Sequence, residues 1–120
     1  MANSKKILIV NQDHVYLLEE NDIKYCQSDD GYTTVFVKDG SEHLISKTLI
    51  RFSKELDRRI FIRVNQSFLI NINYIKSINK KNKNITLDGC IAIPFTLTIK
   101  DLMIMISSVY DREIGAAVPE

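Results

Sequence analysis

Short apolar or alternating runs recur along the chain, about ten residues apart, and polar turn signals separate them. β-Branched and aromatic residues are common in these runs, which favours strands. Tight-turn sequences at 11–13 (NQD), 38–40 (KDG) and 88–89 (DG) lie between runs and predict three β-hairpins. The predicted strands are 6–10, 14–18, 22–28, 32–37, 42–46, 74–78, 85–87 and 90–93, the last one ended by Pro94.

The segment Phe61–Asn71, FIRVNQSFLIN, is mostly apolar but carries one arginine and two amide side chains at its centre. A strand that is buried throughout would not place polar groups there, because buried polar groups need hydrogen-bond partners. The segment is therefore interpreted as two core pieces, Phe61–Val64 and Phe68–Ile70, joined by a polar turn. The pattern leaves open whether this turn only reverses the chain or also binds a partner.

The hydrophobic period changes to that of a helix in KTLIRFSKEL, at about 47–56. Leu49, Phe52 and Leu56 recur at spacings of three and four residues and form one apolar stripe. The sequence thus predicts a short helix in mid-chain, with Ser46 as its N-cap.

A second helix is predicted near the end of the chain, at about 98–112. Thr98, with Asp101 three residues later, resembles a capping box in which aspartate replaces the usual glutamate. Gly115 follows and ends the pattern. The expected buried stripe consists of Leu102, Ile106, Val109 and Tyr110.

Length and composition indicate a single, mostly β domain. The 120 residues are expected to fold at 7–112, between flexible ends at 1–6 and 113–120. No apolar run approaches the roughly 18 residues that span a bilayer, so no membrane insertion is expected and the chain is predicted to be cytoplasmic. Cys26 and Cys90 are too few for the disulfide framework of a small secreted domain and are predicted to be buried, reduced thiols.

The charge is distributed unevenly although the net charge is only +1. Residues 47–100 carry eleven Lys and Arg against three Asp and Glu, whereas both flanking segments are acidic. Such asymmetry hints at an anionic partner, but a solvated basic face would give the same pattern. Enzymatic chemistry is not indicated: His14 and His43 have no partners at metal-ligand spacing and are expected to be isolated on exposed or edge positions. Phosphate-loop and dinucleotide motifs are absent, and we expect no catalysis, metal or cofactor.

The chain order resembles that of the LytTR family of bacterial DNA-binding domains. The resemblance rests on DIKYCQSDDGYTTVFVKDG, a helix beginning near SKTL, FIRVNQSFLIN followed by YI, and IPFTLTIKDL, and it covers about residues 7–107. The central motif keeps its spacing at Phe61, Arg63, Ser67, Asn71 and Ile75. The resemblance implies an elongated, mostly antiparallel β fold of short hairpins with short helices.

The resemblance also implies a function and partners. Family members bind double-stranded DNA through loops that approach successive grooves, and most are transcription regulators of two-component systems with an N-terminal receiver domain. This chain is expected to stand alone, to bind direct repeats as two or more copies, and to work with a receiver domain or a membrane-bound regulator. The alternative is a family-derived module that has weakened or lost DNA recognition and binds a protein or small ligand.

Candidate contacts carry over residue by residue from the family's motifs. The proposed base contacts are Asn65, Gln66, Tyr32 and Thr98. The proposed phosphate contacts are Arg63, Ser67, Thr33, Lys47, Lys80, Lys81, Lys83 and Lys100.

Two departures from the family pattern affect these positions. Asn65 and Gln66 replace a His and an Arg, and Leu97 and Thr98 replace two arginines. Since Asn and Gln pair with adenine whereas Arg favours guanine, the first change predicts altered specificity. The second change removes cations and favours weaker binding.

Structural roles compete with DNA contacts at most of these positions. Asn65 and Ser67 could bond the turn's own backbone, and Thr98 could serve as a helix cap. Arg63 could pair with an internal carboxylate, and Asn71 is predicted to tie loops together. Tyr32 could be a core aromatic, and the lysines at 80–83 could lie in a solvated loop.

Overall fold

The centre of the fold is a five-stranded antiparallel sheet covered on both faces. The computed structural model describes residues 5–89 and 91–114, with the backbone alone described from 109 onward. Its elements are β1 Lys6–Val10, β2 Val15–Glu19, β3 Ile23–Asp29, β4 Tyr32–Val37, β5 Glu42–Ile45, α1 Leu49–Ser53, β6 Phe61–Arg63, β7 Phe68–Asn71, β8 Ile75–Asn79, β9 Asn84–Leu87, β10 Ile91–Pro94 and α2 Ile99–Ile114. Single 3₁₀ turns at Glu20–Asp22 and Ile72–Tyr74 lead into β3 and β8.

In the part of the chain that the structure describes, ten strands form three separate sheets. β1 pairs with β2, the central sheet has the order β5-β4-β3-β7-β6, and the third sheet has the order β10-β9-β8. All pairs are antiparallel, and the molecule measures 51 × 36 × 25 Å along its principal axes. The elongated, mostly β fold and the three predicted hairpins are confirmed.

Two hydrophobic clusters flank the central sheet, one on each face. Cys26, Phe61 and Leu69 pack in the first cluster with β1 and α1. Their neighbours Tyr25, Ile62 and Ile70 pack in the second cluster with β9, β10 and α2. Side chains alternate between the faces of a strand, so a strand buried on both faces needs consecutive apolar residues. This explains the unbroken apolar pairs in FIRVNQSFLIN.

The mid-chain helix is shorter than the predicted 47–56 and begins at a different cap. Thr48, not Ser46, is the N-cap, since its hydroxyl oxygen accepts a hydrogen bond from the Arg51 N–H at 3.2 Å. After Ser53 the backbone bonds tighten to i→i+3 spacing, as from the Leu56 N–H to the Ser53 carbonyl. The predicted apolar stripe of Leu49, Phe52 and Leu56 is buried as expected.

The C-terminal helix α2 begins where predicted and continues to Ile114. The Thr98 hydroxyl oxygen accepts from the Asp101 N–H at 3.0 Å, which confirms the cap. Leu102 is fully buried and Ile106 half-buried. The predicted burial of Val109 and Tyr110, and the role of Gly115, lie outside what the structure describes.

Asn71 ties the central sheet to the turn before β3. Its side-chain amide donates to the Asn21 side chain at 3.0 Å and to the Ile23 carbonyl at 2.9 Å, and its oxygen accepts from the Asn73 N–H. The residue is completely buried. Its predicted structural role is confirmed.

Candidate nucleic-acid interface

Several loops meet at one end of the central sheet. Asp29 of β3 is opposite Tyr32 of β4, and Thr33 is opposite Ile45 at the end of β5. On the other side of β3, Gln27 is opposite Phe68 at the start of β7. Antiparallel pairing therefore brings the β3–β4 turn, the β5–α1 loop and the β6–β7 turn to the same end of the sheet.

Hydrogen bonds join these loops into a continuous row. The Thr33 hydroxyl donates to the Lys47 carbonyl at 2.8 Å, and the Ser28 N–H donates to the Ser67 carbonyl at 2.8 Å. Two further segments join the row, the loop before α2 and the β8–β9 turn. We call the five segments the loop row: residues 29–32, 46–48, 64–67, 80–83 and 95–100, the last of which includes the start of α2.

Asn65 organises the β6–β7 turn from within. Its side-chain oxygen accepts from the Ser67 N–H at 2.7 Å and from the Phe68 N–H at 2.9 Å. Its side-chain nitrogen donates to the Pro94 carbonyl at 2.6 Å. Both acceptor sites of the amide oxygen are thus used by the protein, and the competing structural role predicted for Asn65 is the one the geometry shows.

Arg63 holds the same turn from its base. Its Nε donates to the Asn65 carbonyl at 3.1 Å, and its Nη2 donates to the Gln66 carbonyl at 2.7 Å. These partners are backbone carbonyls, so the internal carboxylate considered for Arg63 is not its partner. The Gln66 side chain is exposed at the tip of the turn that Arg63 and Asn65 fix.

The segment before α2 packs against the turn. The Thr96 N–H donates to the Val64 carbonyl at 2.9 Å. Gln66, Thr96 and the half-buried Leu97 line one shallow concavity together with the turn. Thr96 was missed by the sequence analysis, because no residue-level signal distinguishes it from other exposed threonines.

The β3–β4 turn presents a mixed surface. Asp30 and Gly31 adopt positive φ angles of 52° and 89°, as the tight reversal requires. Tyr32 is exposed, so it is not a core aromatic. Thr33 is completely buried, and its hydroxyl is used by the Lys47 carbonyl, so the side chain does not face a phosphate.

The basic residues of the loop row differ in how far they are engaged. Lys47 forms an ion pair with Glu55. Lys83 lies over the Phe95 ring, with its Nζ 5.2 Å from the centroid, and its carbonyl accepts from the Phe95 N–H at 3.1 Å. Lys80, Lys81 and Lys100 are exposed.

The groups considered for other chemistry lie elsewhere. His43 is buried, not isolated: its ring is 4.5 Å from that of Tyr16, and its Nε2 is 3.3 Å from the Ser41 hydroxyl. His14 is exposed and stacks on Tyr16 at 5.5 Å. Cys26 is a buried free thiol, and its burial raises its pKa. Cys90 lies outside the described residues.

Among the residues that the structure describes, no three His, Cys, Asp or Glu side chains form a group suited to a metal ion. The pKa of the Asp39 carboxyl is lowered by hydrogen bonds from Ser41. No helix in the described ranges is long and apolar enough to cross a membrane.

Comparison with known proteins agrees with this architecture. The family model of the LytTr DNA-binding domain matches residues 5–105. A solved LytTr DNA-binding domain from Bacillus cereus superposes with a TM-score of 0.66 over 96% of this chain and 100% of that one, at 19% identity. The chain belongs to the LytTR family of DNA-binding domains, which is not a family of enzymes.

Curated relatives are longer proteins that contain a similar segment. The sensory transduction protein LytT of Bacillus subtilis is 34% identical over 77 residues, which are 64% of this chain and 32% of the relative. The heme-containing CO-sensing transcriptional regulator RcoM 1 of Paraburkholderia xenovorans is 29% identical over 82 residues, 68% of this chain and 30% of the relative. The chain thus spans about a third of these relatives.

Proposed function

We propose that the chain binds double-stranded DNA in a sequence-specific way through its loop row and serves as the DNA-binding part of a bacterial transcription regulator. The observation that carries the proposal is the hydrogen-bonded row of loops at one sheet edge, in a member of a family of DNA-binding domains. The row presents loops and not a recognition helix, so successive loops would enter successive grooves.

Gln66 is the proposed principal base reader. The contacts that hold the turn use its backbone carbonyl, and the exposed side-chain amide points outward from a fixed support. A glutamine amide can donate to N7 and accept from N6 of adenine in the major groove. The exposed Tyr32 and Thr98, at the two neighbouring loops, are proposed as additional base contacts, whereas Asn65 positions the reader.

Phosphate contacts are proposed for the exposed cations of the row. Lys80, Lys81 and Lys100 are free to approach the backbone of a duplex and would position the domain without reading sequence. Lys47 would first have to leave Glu55, and Lys83 is partly committed to Phe95. Arg63 and Ser67 contribute mainly by shaping the turn, and Thr33 does not contact a phosphate because its side chain is buried.

The wider assembly follows from the small size of the interface. One domain of this size contacts a limited stretch of DNA, so two or more copies are proposed to occupy direct repeats. Because the curated relatives are about twice as long as this chain, a receiver domain or another sensory partner is proposed to control the DNA-binding unit, within the cytoplasm.

Fluorescence anisotropy with a randomised duplex pool, followed by in vitro selection, tests the proposal. We expect sub-micromolar binding of the selected duplex at low salt and a linear fall of log K with log salt concentration. Gln66→Ala should lose preference at one base position while keeping the salt slope. Binding weaker than micromolar at low salt, with no salt slope, would contradict the proposal.

A second candidate function is a family-derived module that no longer recognises DNA. It is favoured by the engaged cation Lys47 and by Leu97 and Thr98, which stand where the family carries arginines. Salt-dependent recovery of DNA in a pull-down from fragmented genomic DNA would decide against this alternative, and a complete failure to recover DNA would favour it.

A further inference from the structure

Four aliphatic side chains form an exposed patch on the outer face of the β1–β2 hairpin. Leu8, Val10, Val15 and Leu17 are between 54% and 63% exposed. Leu8 is opposite Leu17 and Val10 is opposite Val15, so the four side chains stand in two cross-strand pairs. Contiguous exposed apolar patches of this kind mark interaction surfaces in small domains.

The same face carries one charge of each sign at its end. Lys6 is opposite Glu19, and their side chains form an ion pair of 3.0 Å while staying 56% and 40% exposed. Both residues have the parity of the aliphatic side chains on their strands and therefore project to the same side. Along the strands, the face therefore carries the Lys6–Glu19 ion pair at one end, followed by the two aliphatic pairs.

This order makes the face complementary to itself. A two-fold axis parallel to the strands and midway between them would place β1 of one copy over β2 of a second copy. Lys6 would then face Glu19 of the second copy, Leu8 would face Leu17, and Val10 would face Val15. Every facing pair would join opposite charges or aliphatic groups, in the aligned packing that two twisted sheets adopt about 10 Å apart.

We propose that the outer face of the β1–β2 hairpin is an isologous self-association surface whose occupant, in the absence of DNA, is a second copy of this chain. This pair is distinct from copies bound side by side on direct repeats, because two-fold symmetry gives its members opposite orientations whereas direct repeats require the same orientation. Among residues 5–89, the charged end of this face holds one Lys and one Glu, which is not the basic cluster that an anionic membrane surface or a nucleic acid would require. A four-side-chain patch covers less than the roughly 800 Å² per partner of stable complexes. The dimer is therefore weak, with a dissociation constant on the order of 0.1 mM.

Sedimentation equilibrium without DNA tests this inference separately from DNA binding. Between roughly 10 µM and 1 mM, the weight-average mass of the unmodified chain should rise from monomer toward dimer. Leu17→Lys should abolish the rise. The matched control is Leu44→Lys, the same change at a 51% exposed strand position outside the hairpin. A chain that stays monomeric throughout, or equal loss in both variants, would overturn the proposal.

Charge reversal tests the arrangement itself. Lys6→Glu should weaken association at least tenfold, because each Glu19 would then face a second negative charge, at position 6 of the other copy. The double variant Lys6→Glu/Glu19→Lys should restore it, and thermal melting monitors whether each variant stays folded. Unchanged association of a folded Lys6→Glu variant, or no restoration in a folded double variant, would rule out the two-fold arrangement.

Discussion

At the residue scale, the polar centre of FIRVNQSFLIN combines side chains that support the turn with one that is proposed to recognise a base. The side chains of Arg63 and Asn65 form hydrogen bonds with carbonyls and N–H groups of the turn and with the Pro94 carbonyl. Gln66 contributes its backbone carbonyl, which accepts a hydrogen bond from Arg63. The support fixes where the glutamine amide points, and such preorganisation is what a short loop needs to read a base.

Gln66→Ala should relax specificity without affecting the fold. The lost amide would cost about 1–3 kcal/mol of discrimination at one base pair. Competition binding with single-base variants of the selected duplex measures this loss, and an unchanged base preference would show that Gln66 does not read sequence. Because the side chain is exposed, the free energy of unfolding should remain within about 0.5 kcal/mol.

Asn65→Ala should instead lower stability. The change leaves the Ser67 and Phe68 N–H groups and the Pro94 carbonyl without their side-chain partner. A loss of about 1–3 kcal/mol is expected in urea unfolding, as for partly buried groups left unsatisfied. Gln66→Ala on the adjacent residue is the control, and equal stability of the two variants would contradict the assigned division of roles.

At the scale of elements, each helix begins at a threonine cap, and α1 shows that the cap is chosen by local geometry. The sequence predicts Ser46 as the cap, but Thr48 has the extended backbone and the bond to the Arg51 N–H. Lys47 between them is held through its carbonyl by Thr33 on β4. This tertiary bond fixes where the loop ends and the helix starts.

Thr48→Ala should destabilise the protein, and Ser46→Ala should not. Loss of an N-cap costs about 0.5–2 kcal/mol, whereas the exposed Ser46 is expected to contribute less than about 0.5 kcal/mol. Paired urea titrations of the two variants measure the difference. The reverse order would show that Ser46 caps the helix in solution.

Asp57, in the turn after α1, should make stability depend on pH in the acid range. Its carboxylate accepts from the Arg59 N–H, Nε and Nη2 at 2.9–3.1 Å, and the Arg59 side chain lowers the Asp57 pKa below its ordinary value. A lowered folded-state pKa contributes stability above the unfolded pKa, and this is lost as pH falls through the folded pKa.

Asp57→Asn should therefore lower unfolding free energy at pH 7 and have little effect at pH 2. The difference is expected to stay below about 1 kcal/mol, because the Arg59 side chain is largely exposed and solvent screens the pair. Asp88→Asn, at an exposed aspartate in the β9–β10 turn, serves as the control. An Asp57 variant whose loss of stability is the same at both pH values would contradict the assignment.

At the scale of the whole molecule, the two hydrophobic clusters pack the three described sheets and two described helices together. This packing brings the loops to one end of the central sheet. The basic residues of segment 47–100 are spread along the sequence. In the folded chain some of them form contacts with other side chains, and others are exposed. Lys47 pairs with Glu55, while Lys80, Lys81 and Lys100 stay exposed at the loop row. In the proposed complex, the exposed group would release counterions from the duplex without first breaking an ion pair.

Lys80→Gln or Lys100→Gln should each reduce the slope of log K against log salt concentration by about one unit. Lys38→Gln is the matched control, because Lys38 lies at the opposite end of β4 and pairs with Asp22 at 3.3 Å. Anisotropy titrations from low to moderate salt provide the slopes. An equal reduction for Lys38 would place the DNA elsewhere on the molecule.

The sequence by itself determined the strands, the hairpins, the two helices and the family, because these depend on local period, turn chemistry and motif spacing. It also located the polar turn within FIRVNQSFLIN and the structural role of Asn71. Alternation and spacing are short-range properties, and a single chain displays them without any partner segment.

Only the tertiary structure decided which residues of the turn are available to a partner. The bonds from Asn65 to Pro94 and from Thr96 to Val64 join segments about thirty residues apart, and the burial of Thr33 depends on the neighbouring β5–α1 loop. Such contacts arise from strand order and register, which hydrophobic pattern alone does not specify. The fold thereby assigned Asn65 and Arg63 to support, and left Gln66 exposed beside Thr96 at the edge of the sheet.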